Sequence, residues 1–358
     1  MTKVLFHLAI LLVLCGRLQA ADPAALPLTS PLESQVFQRS DKDAGKIHIA
    51  CKLPSGADAL EAKLTLVDEK SGGKAIAWTG VKIESTTGET ANAVLPASSG
   101  GWYKLEVRAK KGTDVLAQAS VAKVGIGDVF VTAGQSNSAN FGQKRQSAQD
   151  GRVVYFDGKS YVPARDPIPG GFGGGGTPWP LLGDLLVAKW NVPIAFRSST
   201  LTYTPVAEWL PDAKNNQYPT LVERTKQFRS PGVRAVLWHQ GESDSLASTT
   251  AEQYRDRLTT VIRSMRKDIG YDVDWFVAQA SFHNASKREQ EKRVADGQKL
   301  LWESKVCFPG PVTDDLLGKE NRYDGVHFSE PALKVHAQRW FEVLDKQYGA
   351  NRTSETPK

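Results

Sequence analysis

Cysteine and histidine, which build most protein cross-links and metal centres, are scarce in this sequence. Its 358 residues include three cysteines and six histidines. Cys51 and Cys307 lie far apart, and neither has another cysteine or a histidine at metal-ligand spacing beside it. The sequence therefore specifies no disulfide between them, although a secreted protein could form one. It predicts two buried thiols and no metal site.

Long runs of one charge are also missing. The net charge of +6 arises from 45 basic and 39 acidic residues spread along the chain. Nucleic-acid-binding proteins concentrate positive charge on one face, so this distribution argues against a nucleic-acid partner. Hydrophobic residues make up 41% of the chain and charged residues 23%, as is typical of a soluble globular protein. The composition carries no information on oligomeric state.

The apolar stretch near the N-terminus is too short to cross a membrane comfortably. It covers residues 4–14, follows Lys3, and is succeeded by a small residue at Ala20. A charged start, an apolar centre and a small-residue ending are typical of a secretory signal. Residues 1–20 are therefore predicted to be a signal peptide of a secreted or periplasmic protein without a membrane span. The alternatives are an uncleaved anchor and, because of Cys15, a lipoprotein cleavage site.

Residues 26–124 have an alternating hydrophobic pattern. Apolar and polar residues alternate along 47–51, 60–66 and 103–107, and Gly- and Ser-rich turns at 71–73 and 98–101 separate such stretches. A period of two indicates strands with one face in water. Several short strands without intervening helices predict a small all-β sandwich. Because this segment holds no cluster of catalytic residue types, we interpret it as an accessory domain.

The pattern changes after Gly127. Apolar runs at 129–131, 194–196, 233–238, 275–277 and 306–308 alternate with helical patterns, the clearest of which cover 254–269 and 333–348. Strands that alternate with helices indicate an α/β domain with a mostly parallel sheet covered on both faces. Residues 125–349 are assigned to this domain, and the polar residues 350–358 to a disordered tail.

The stretch "GQSNSAN", residues 134–140, directly follows the apolar run at 129–131. One interpretation is a simple turn, because Gly, Ser and Asn are the residues that turns favour. The other is a nucleophile, because open α/β sheets carry their active sites at the carboxyl ends of the strands. Ser136 would then need a base, and that base a group that fixes its tautomer.

The best candidate for the base is His327 in "RYDGVHFS", residues 322–329. Asp324 precedes it by three residues, and Gly325 between them allows a sharp turn, so the carboxylate can reach one ring nitrogen. The alternative is an exposed loop that leads into the following helix. His239 and His336 are expected to be structural, whereas His283, in a polar loop after the apolar run at 275–277, remains a further candidate.

The third stretch is "WHQGESD", residues 238–244, at the end of a strongly apolar strand. The Gln240 amide and a backbone N–H could stabilise an oxyanion, and Glu242 could supply charge nearby. The alternative is a strand-to-helix connection in which Ser243 or Asp244 caps the helix.

Together the three stretches, in this order and spacing, resemble the SGNH (GDSL-like) hydrolases, and within them the sialate O-acetylesterase and carbohydrate acetylesterase branch. The resemblance implies a three-layer α/β sandwich preceded by an Ig-like β-sandwich domain. It implies that Ser136 is the nucleophile and an oxyanion donor, that His327 is the base and that Asp324 orients it. Gln240 matches a further oxyanion donor, and Glu242 is a rival or helper to Asp324.

One block departs from the pattern of this branch. Relatives carry a Gly-Gly-Thr-like turn whose glycine offers an oxyanion N–H, whereas here Thr202 and Tyr203 occupy that place in "STLTYTPVAEW". The backbone N–H of Tyr203 is still expected in the oxyanion hole, while its side chain would crowd or reshape the site.

Further residues are assigned to substrate binding. These are Gln135 and Asn137, which flank the nucleophile, and Trp179 and Trp209, whose aromatic faces could stack on a sugar, although core packing is the alternative for both tryptophans. The glycine-rich segment 170–180 lacks the residues of a phosphate loop and is interpreted as a mobile loop near the site.

The leading hypothesis is a secreted serine esterase that removes O-acetyl groups from a carbohydrate, with sialate and xylan among the candidate substrates, and without metal or organic cofactor. Two alternatives remain. One is a carbohydrate-binding protein with impaired catalysis, and the other is an esterase of lipid-like acyl chains.

Overall fold

The computed structural model describes residues 23–228 and 232–349. The predicted signal peptide and the predicted disordered tail at 350–358 lie outside the described residues. Across the described part of the chain, no helix is both long and apolar enough to cross a membrane.

The N-terminal part consists of strands in two sheets. Its strands are β1 (Ala24–Ala25), β2 (Leu28–Ser30), β3 (Gln35–Gln38), β4 (Ala44–Lys52), β5 (Ala59–Leu66), β6 (Ile76–Gly80), β7 (Lys82–Thr87), β8 (Thr90–Ser98), β9 (Gly100–Lys111) and β10 (Asp114–Gly134). One sheet has the order β2-β4-β8-β7, and in the other β9 pairs with β5 and with the first half of β10. The apolar faces of both sheets enclose one core cluster, which includes Ile47, Leu64 and Leu105. The alternation along these strands therefore arises from one buried and one solvated face.

The second part contains the remaining strands and all the helices among the described residues. The strands are β11 (Val153–Phe156), β12 (Tyr161–Pro163), β13 (Ile194–Thr200), β14 (Ala235–His239), β15 (Asp274–Gln279) and β16 (Phe308–Val312). The helices are α1 (Trp179–Trp190), α2 (Tyr218–Lys226), α3 (Glu242–Leu246), α4 (Ala251–Ile269), α5 (Arg288–Glu303) and α6 (Glu330–Tyr348). The strand order is β12-β11-β13-β10-β14-β15-β16, and all neighbours except β11 and β12 are parallel.

Apolar helix faces cover both sides of this sheet. On one side, residues such as Leu258 of α4 and Leu301 of α5 pack against the sheet, and on the other Leu182 of α1 and Trp340 of α6 do so. The helix starts are encoded locally, since Thr250 caps α4 in a capping box with Gln253. The mostly parallel sheet between two helical layers was predicted, and the structure confirms it.

A single long strand joins the two parts. The first half of β10 pairs with β9 and β3, whereas its second half pairs with β13 and β14. It thus runs through the predicted boundary at 124–125 without a break. Where it passes from one sheet to the other, fully buried Asp128 forms ion pairs with Arg39 at 2.7 Å and with Arg234 at 2.8 Å. Arg39 follows β3 and Arg234 precedes β14, so this cluster connects the N-terminal strands to the large parallel sheet.

Both cysteines of the described region are buried and unpaired, as predicted. Burial raises the pKa of the Cys307 thiol to about 12. The strand β16 begins at Phe308, two residues later than the apolar run in the sequence, because Val306 and Cys307 belong to the turn that precedes it.

Candidate active site

The predicted nucleophile lies in a tight turn at the carboxyl end of β10. Gly134 ends the strand with φ +122°, and a Cβ there would lie 2.1 Å from the carbonyl oxygen of His239, so only glycine fits. Ser136 then begins a 3₁₀ turn and is 6% exposed. As the first residue of the turn, Ser136 has a backbone N–H without an acceptor inside that turn.

His327 and Asp324 form a close pair in the loop that precedes α6. The distance between Nδ1 of His327 and Oδ2 of Asp324 is 2.6 Å. Oδ1 of Asp324 accepts hydrogen bonds from the backbone N–H groups of Val326 and His327, at 2.9 and 2.7 Å. Partial burial alone would raise the pKa of Asp324, but these hydrogen bonds, first the one from the His327 ring, hold it below its ordinary value. The spacing of three residues therefore lets one carboxylate fix both the loop and the ring.

Asn137 connects the serine turn to the histidine loop. Its Nδ2 donates to Oε1 of Glu242 at 2.8 Å and to the carbonyl oxygen of Val326 at 3.3 Å. Because Asn137 follows Ser136 and Val326 precedes His327, this amide sets the two candidate catalytic residues relative to each other. Asn137 is 3% exposed, and its amide hydrogens are used inside the protein, where they position the two loops. These hydrogens are therefore not available for the predicted substrate contact.

Glu242, the predicted rival of Asp324, occupies a different place. It is 1% exposed, and its Oε1 lies 3.5 Å from Nε2 of the fully buried His239. Burial alone would raise the pKa of Glu242, but His239 and then Asn137 lower it. Asp324 contacts the His327 ring, whereas Glu242 accepts a hydrogen bond from Asn137.

The Gln240 side chain does not point to an oxyanion, contrary to the prediction. It is fully buried, and its two amide hydrogens face three internal acceptors: Oδ2 of Asp244 at 2.6 Å, the carbonyl oxygen of Thr204 at 2.9 Å and Oε1 of Gln135 at 3.2 Å. A donor committed in this way has no hydrogen left for a substrate. Gln135 is 3% exposed and its Oε1 accepts also from the N–H of Ser243, so this oxygen serves the same network, and the substrate contact of Gln135 stays a prediction.

The Thr202-Tyr203 block keeps the backbone conformation of a glycine. Tyr203 has φ +56°, in the left-handed region, where the family pattern has glycine. The loop is attached to the nucleophile strand, because the N–H of Leu201 donates to the carbonyl oxygen of Gly134 at 3.0 Å. The Tyr203 side chain is 75% exposed, so it does not fill the site as the sequence suggested.

The structure also corrects the role of the two tryptophans. Trp179 is 0% and Trp209 1% exposed, so neither can present a face to a sugar. The indole N–H of Trp179 donates to the carbonyl oxygen of Ser138 at 2.9 Å, and that of Trp209 to Thr204. Both indoles thus stabilise loops near the serine by donating hydrogen bonds to them.

The glycine-rich segment is bonded to the residues after the nucleophile turn and is not a free loop. The N–H of Asn140 donates to the carbonyl oxygen of Phe172, and Gly142 and Gly176 exchange two hydrogen bonds at 2.8 Å. A Cβ at Gly176 would lie 1.9 Å from the carbonyl oxygen of Lys144. The glycines therefore permit close approach of two backbones, which the interpretation as a mobile loop missed.

Two residues near the histidine were not predicted. The Phe141 ring stacks on the His327 ring, with centroids 5.1 Å apart. Arg322, 2% exposed, donates to the carbonyl oxygens of Val326 at 2.7 Å and Thr313 at 3.0 Å. Burial lowers the pKa of Arg322 to about 10. Arg322 belongs to the "RYDGVHFS" stretch, so its position directly before the Asp–His spacing was the available signal.

His336 and His283 each have a hydrogen-bond partner of their own. His336 is fully buried in α6, and its Nε2 accepts from the Trp340 indole at 2.9 Å. His283 lies after β15, where its Nδ1 accepts from the N–H of Ala285 at 3.1 Å. Within the described ranges, no three His, Cys, Asp or Glu side chains are grouped so that they could hold a metal ion.

Comparison with known proteins identifies the family of the chain. Residues 126–345 match the model of the carbohydrate esterase family described as sialic acid-specific acetylesterase. A probable carbohydrate esterase of Arabidopsis thaliana is 37% identical over 68 residues, which are 18% of this chain and 25% of that protein.

Two solved structures share the fold. A carbohydrate acetylesterase from Xanthomonas citri superposes with a TM-score of 0.61 at 19% identity, covering 90% of this chain and 75% of its own. The structure of the Arabidopsis protein gives a TM-score of 0.50 at 20% identity over 63% of this chain and 98% of its own. The SGNH-type α/β fold that the motifs suggested is therefore confirmed.

Proposed function

We propose that this chain, which belongs to the sialic acid-specific acetylesterase family of carbohydrate esterases, is a carboxylic ester hydrolase that removes O-acetyl groups from a carbohydrate with Ser136 as nucleophile. The observation that carries the proposal is the 2.6 Å contact between His327 and Asp324, on a loop that Asn137 connects to the serine turn. A hydroxyl, an imidazole and a carboxylate that act in this order are the parts of a serine esterase.

The reaction follows from the protonation states that the contacts favour. Asp324 accepts the Nδ1–H of His327, which leaves Nε2 free to take the Ser136 proton as Oγ attacks the acetyl carbonyl. The imidazolium then gives this proton to the sugar oxygen, and the C–O bond of the ester breaks to leave an acetyl-serine. Water attacks that ester with the same histidine as base, which releases acetate and restores the serine.

The oxyanion would be stabilised by backbone donors. The N–H of Ser136 opens its turn, and the N–H of Tyr203 has no backbone acceptor among the described residues. Both loops are anchored at Gly134, one directly after it and one through Leu201. Two preorganised N–H groups at this place are a common form of oxyanion hole. Gln240 is not part of this proposal, because its amide is committed elsewhere.

Substrate class and location rest on the family and the sequence. The family description supports an acetylated carbohydrate as substrate. We further propose that the N-terminal β-sandwich is an Ig-like accessory domain and that residues 1–20 direct the protein out of the cytoplasm. The alternative of an impaired binding protein was motivated by Tyr203, and the exposure of that side chain weakens it.

The proposal is tested by acetate release from p-nitrophenyl acetate and from acetylated xylan and O-acetylated sialic acid. The mature protein is compared with Ser136→Ala and with the control Ser138→Ala. Ser138 lies in the same turn, is fully buried, and has a hydroxyl without a hydrogen-bond partner in the described region, so its loss should cost little. We expect release to vanish in Ser136→Ala alone. Equal release from both variants would contradict the assignment of Ser136.

The lipid-like alternative is tested with a series of p-nitrophenyl esters of increasing chain length. An acetylesterase should hydrolyse the acetate much faster than the octanoate. A kcat/KM that rises with chain length would favour a lipid-like substrate instead.

A further inference from the structure

The exposed aromatic side chains of the described residues are gathered around the candidate active site. Among the eight large hydrophobic side chains that are exposed there, three are aromatic: Phe172 at 53%, Tyr203 at 75% and Tyr323 at 41%. They lie on three different loops, between β12 and α1, after β13, and before α6. Single exposed apolar residues need no explanation, but three exposed aromatic rings on loops of one site do.

Each of these loops is hydrogen-bonded to a segment that carries or adjoins a candidate catalytic residue. The carbonyl oxygen of Phe172 accepts from the N–H of Asn140 at 2.9 Å, just after the serine turn. The N–H of Tyr323 donates to the carbonyl oxygen of His327 at 3.1 Å, and its hydroxyl donates to the carbonyl oxygen of Phe141 at 3.2 Å.

Tyr203 also belongs to a loop that adjoins the serine turn. Its loop is bonded to Gly134 through Leu201, two residues before Ser136. A tyrosine with φ +56° is strained, by roughly 1–2 kcal/mol for an L-residue in the left-handed region. Core packing does not offset this strain, because the side chain is mostly in solvent.

We propose that Phe172, Tyr203 and Tyr323 form an aromatic rim that binds sugar rings of the acetylated substrate by stacking. The inference rests on the proposed function and assigns to these residues the role that the buried Trp179 and Trp209 cannot fill. A rigid aromatic ring with a wet edge suits an amphipathic ligand such as a pyranose, which has apolar C–H faces and hydroxyls at its edge. The sugar that carries the ester must lie beside Ser136, and the three rings lie on loops that are hydrogen-bonded to segments next to that serine and to His327.

The test compares two substrates that share the acetyl group. Acetylated xylo-oligosaccharide and O-acetylated sialic acid carry sugar rings, whereas ethyl acetate has a leaving group without a ring to stack. Tyr203→Gly removes the ring but keeps a residue that adopts positive φ freely, and Tyr203→Phe keeps the ring. Phe172→Ala and Tyr323→Phe or Tyr323→Ala extend the series. Val335→Ala, at a 37% exposed residue of α6, is the control for loss of an exposed apolar side chain.

We expect Tyr203→Gly and Phe172→Ala each to raise KM for the sugar ester about three- to tenfold, the range for one lost stacking contact. The ratio of kcat/KM for the sugar ester to that for ethyl acetate should therefore fall about three- to tenfold in these two variants, and the wild-type ratio should be kept in Tyr203→Phe and in Val335→Ala. Equal losses of kcat/KM with both substrates, or no loss with the sugar ester, would contradict the proposed aromatic rim. If Ser136→Ala retained full activity, the proposed function would fail instead, which keeps the two results apart.

A binding measurement without turnover gives a second readout. In the Ser136→Ala background, titration calorimetry with acetylated xylo-oligosaccharide and with O-acetylated sialic acid should show weaker binding of at least one of them when Tyr203→Gly is added. Unchanged affinity for both would contradict the stacking role.

Discussion

Replacing Asp324 by asparagine should be far more damaging than the small change in shape suggests. Oδ1 of Asp324 accepts from two backbone N–H groups, those of Val326 and His327, while Oδ2 faces Nδ1 of the ring. An asparagine must place its carbonyl oxygen where the two N–H groups converge, so its NH₂ faces Nδ1. That nitrogen then has to accept, and the ring proton moves to Nε2, which can no longer take the Ser136 proton.

The size of the effect follows from this tautomer. A triad histidine held in the wrong tautomer loses about 10⁴-fold in turnover. The Asp324 side chain is 38% exposed, so water can relax the arrangement in part. We therefore expect a loss of about 10³- to 10⁴-fold in kcat, equal to about 4–5.5 kcal/mol of transition-state stabilisation.

The assay is steady-state hydrolysis of p-nitrophenyl acetate, together with ¹⁵N NMR of the His327 ring. Asp315→Asn is the control, because Asp315 is an exposed aspartate of the same region that is paired with Arg339 at 2.6 Å. Asp324→Asn should keep the thermal stability of the wild type, since both backbone hydrogen bonds survive. A variant that retains a tenth of the activity, or whose ring keeps its proton on Nδ1, would refute the reasoning.

Three further predictions concern Glu242, Gln240 and Asp128. Glu242→Gln should lower kcat by less than Asp324→Asn, because the side-chain oxygen of the glutamine can still accept from Asn137. A larger loss in Glu242→Gln would indicate that Glu242 orients His327. Gln240→Met should lower the free energy of unfolding by about 1–3 kcal/mol, because buried acceptors lose their donor. The kcat per folded molecule should change little. A loss of kcat without a loss of stability would indicate that Gln240 is an oxyanion donor after all. Asp128→Asn should cost about 3–5 kcal/mol in urea unfolding, because two guanidinium groups lose their anion.

The Asp128 contribution should also depend on pH in a definite direction. Burial alone would raise the pKa of Asp128, but the charges of Arg234 and Arg39 lower it below its unfolded value. A carboxyl with a lowered folded pKa contributes stability above its unfolded pKa of about 3.9, and this is lost as pH falls through the folded value. The difference in unfolding free energy between wild type and Asp128→Asn should therefore shrink in acid, and a constant difference would speak against the ion pairs.

The parts of the site that the sequence predicted are those in which spacing alone determines geometry. Asp324 and His327 are three residues apart with a glycine between them, so their contact is local and could be anticipated. The fold class was likewise encoded in the periods of the hydrophobic pattern, which arise from one-sided or two-sided burial. The parts that failed depend on contacts between segments far apart in sequence. Nothing near Gln240 indicates that the carbonyl oxygen of Thr204, 36 residues earlier, would take one of its amide hydrogens.

The misassigned residues share a physical cause. Glutamine, asparagine and tryptophan in the segments around the strand ends look like ligand-binding groups because they can donate hydrogen bonds. Yet loops that leave a sheet carry many backbone carbonyls that cannot be paired within the sheet, and buried acceptors need donors. Gln240 and Trp179 both satisfy such carbonyls, those of Thr204 and Ser138. Burial, which a single sequence does not reveal for individual loop residues, decides between the two roles.

Tyr203 shows the opposite case, in which a departure from the family pattern carries information. The left-handed backbone at this position orients the N–H proposed for the oxyanion, and glycine would supply it without strain. A tyrosine that keeps this conformation, with three-quarters of its side chain in water, gives up stability without a packing gain. Strain that persists at a functional site indicates a use for the side chain. If that use is stacking on sugar, Tyr203→Gly should raise the thermal unfolding temperature while it weakens binding of the glycan. A variant that is less stable and binds equally well would show that Tyr203 serves the fold instead.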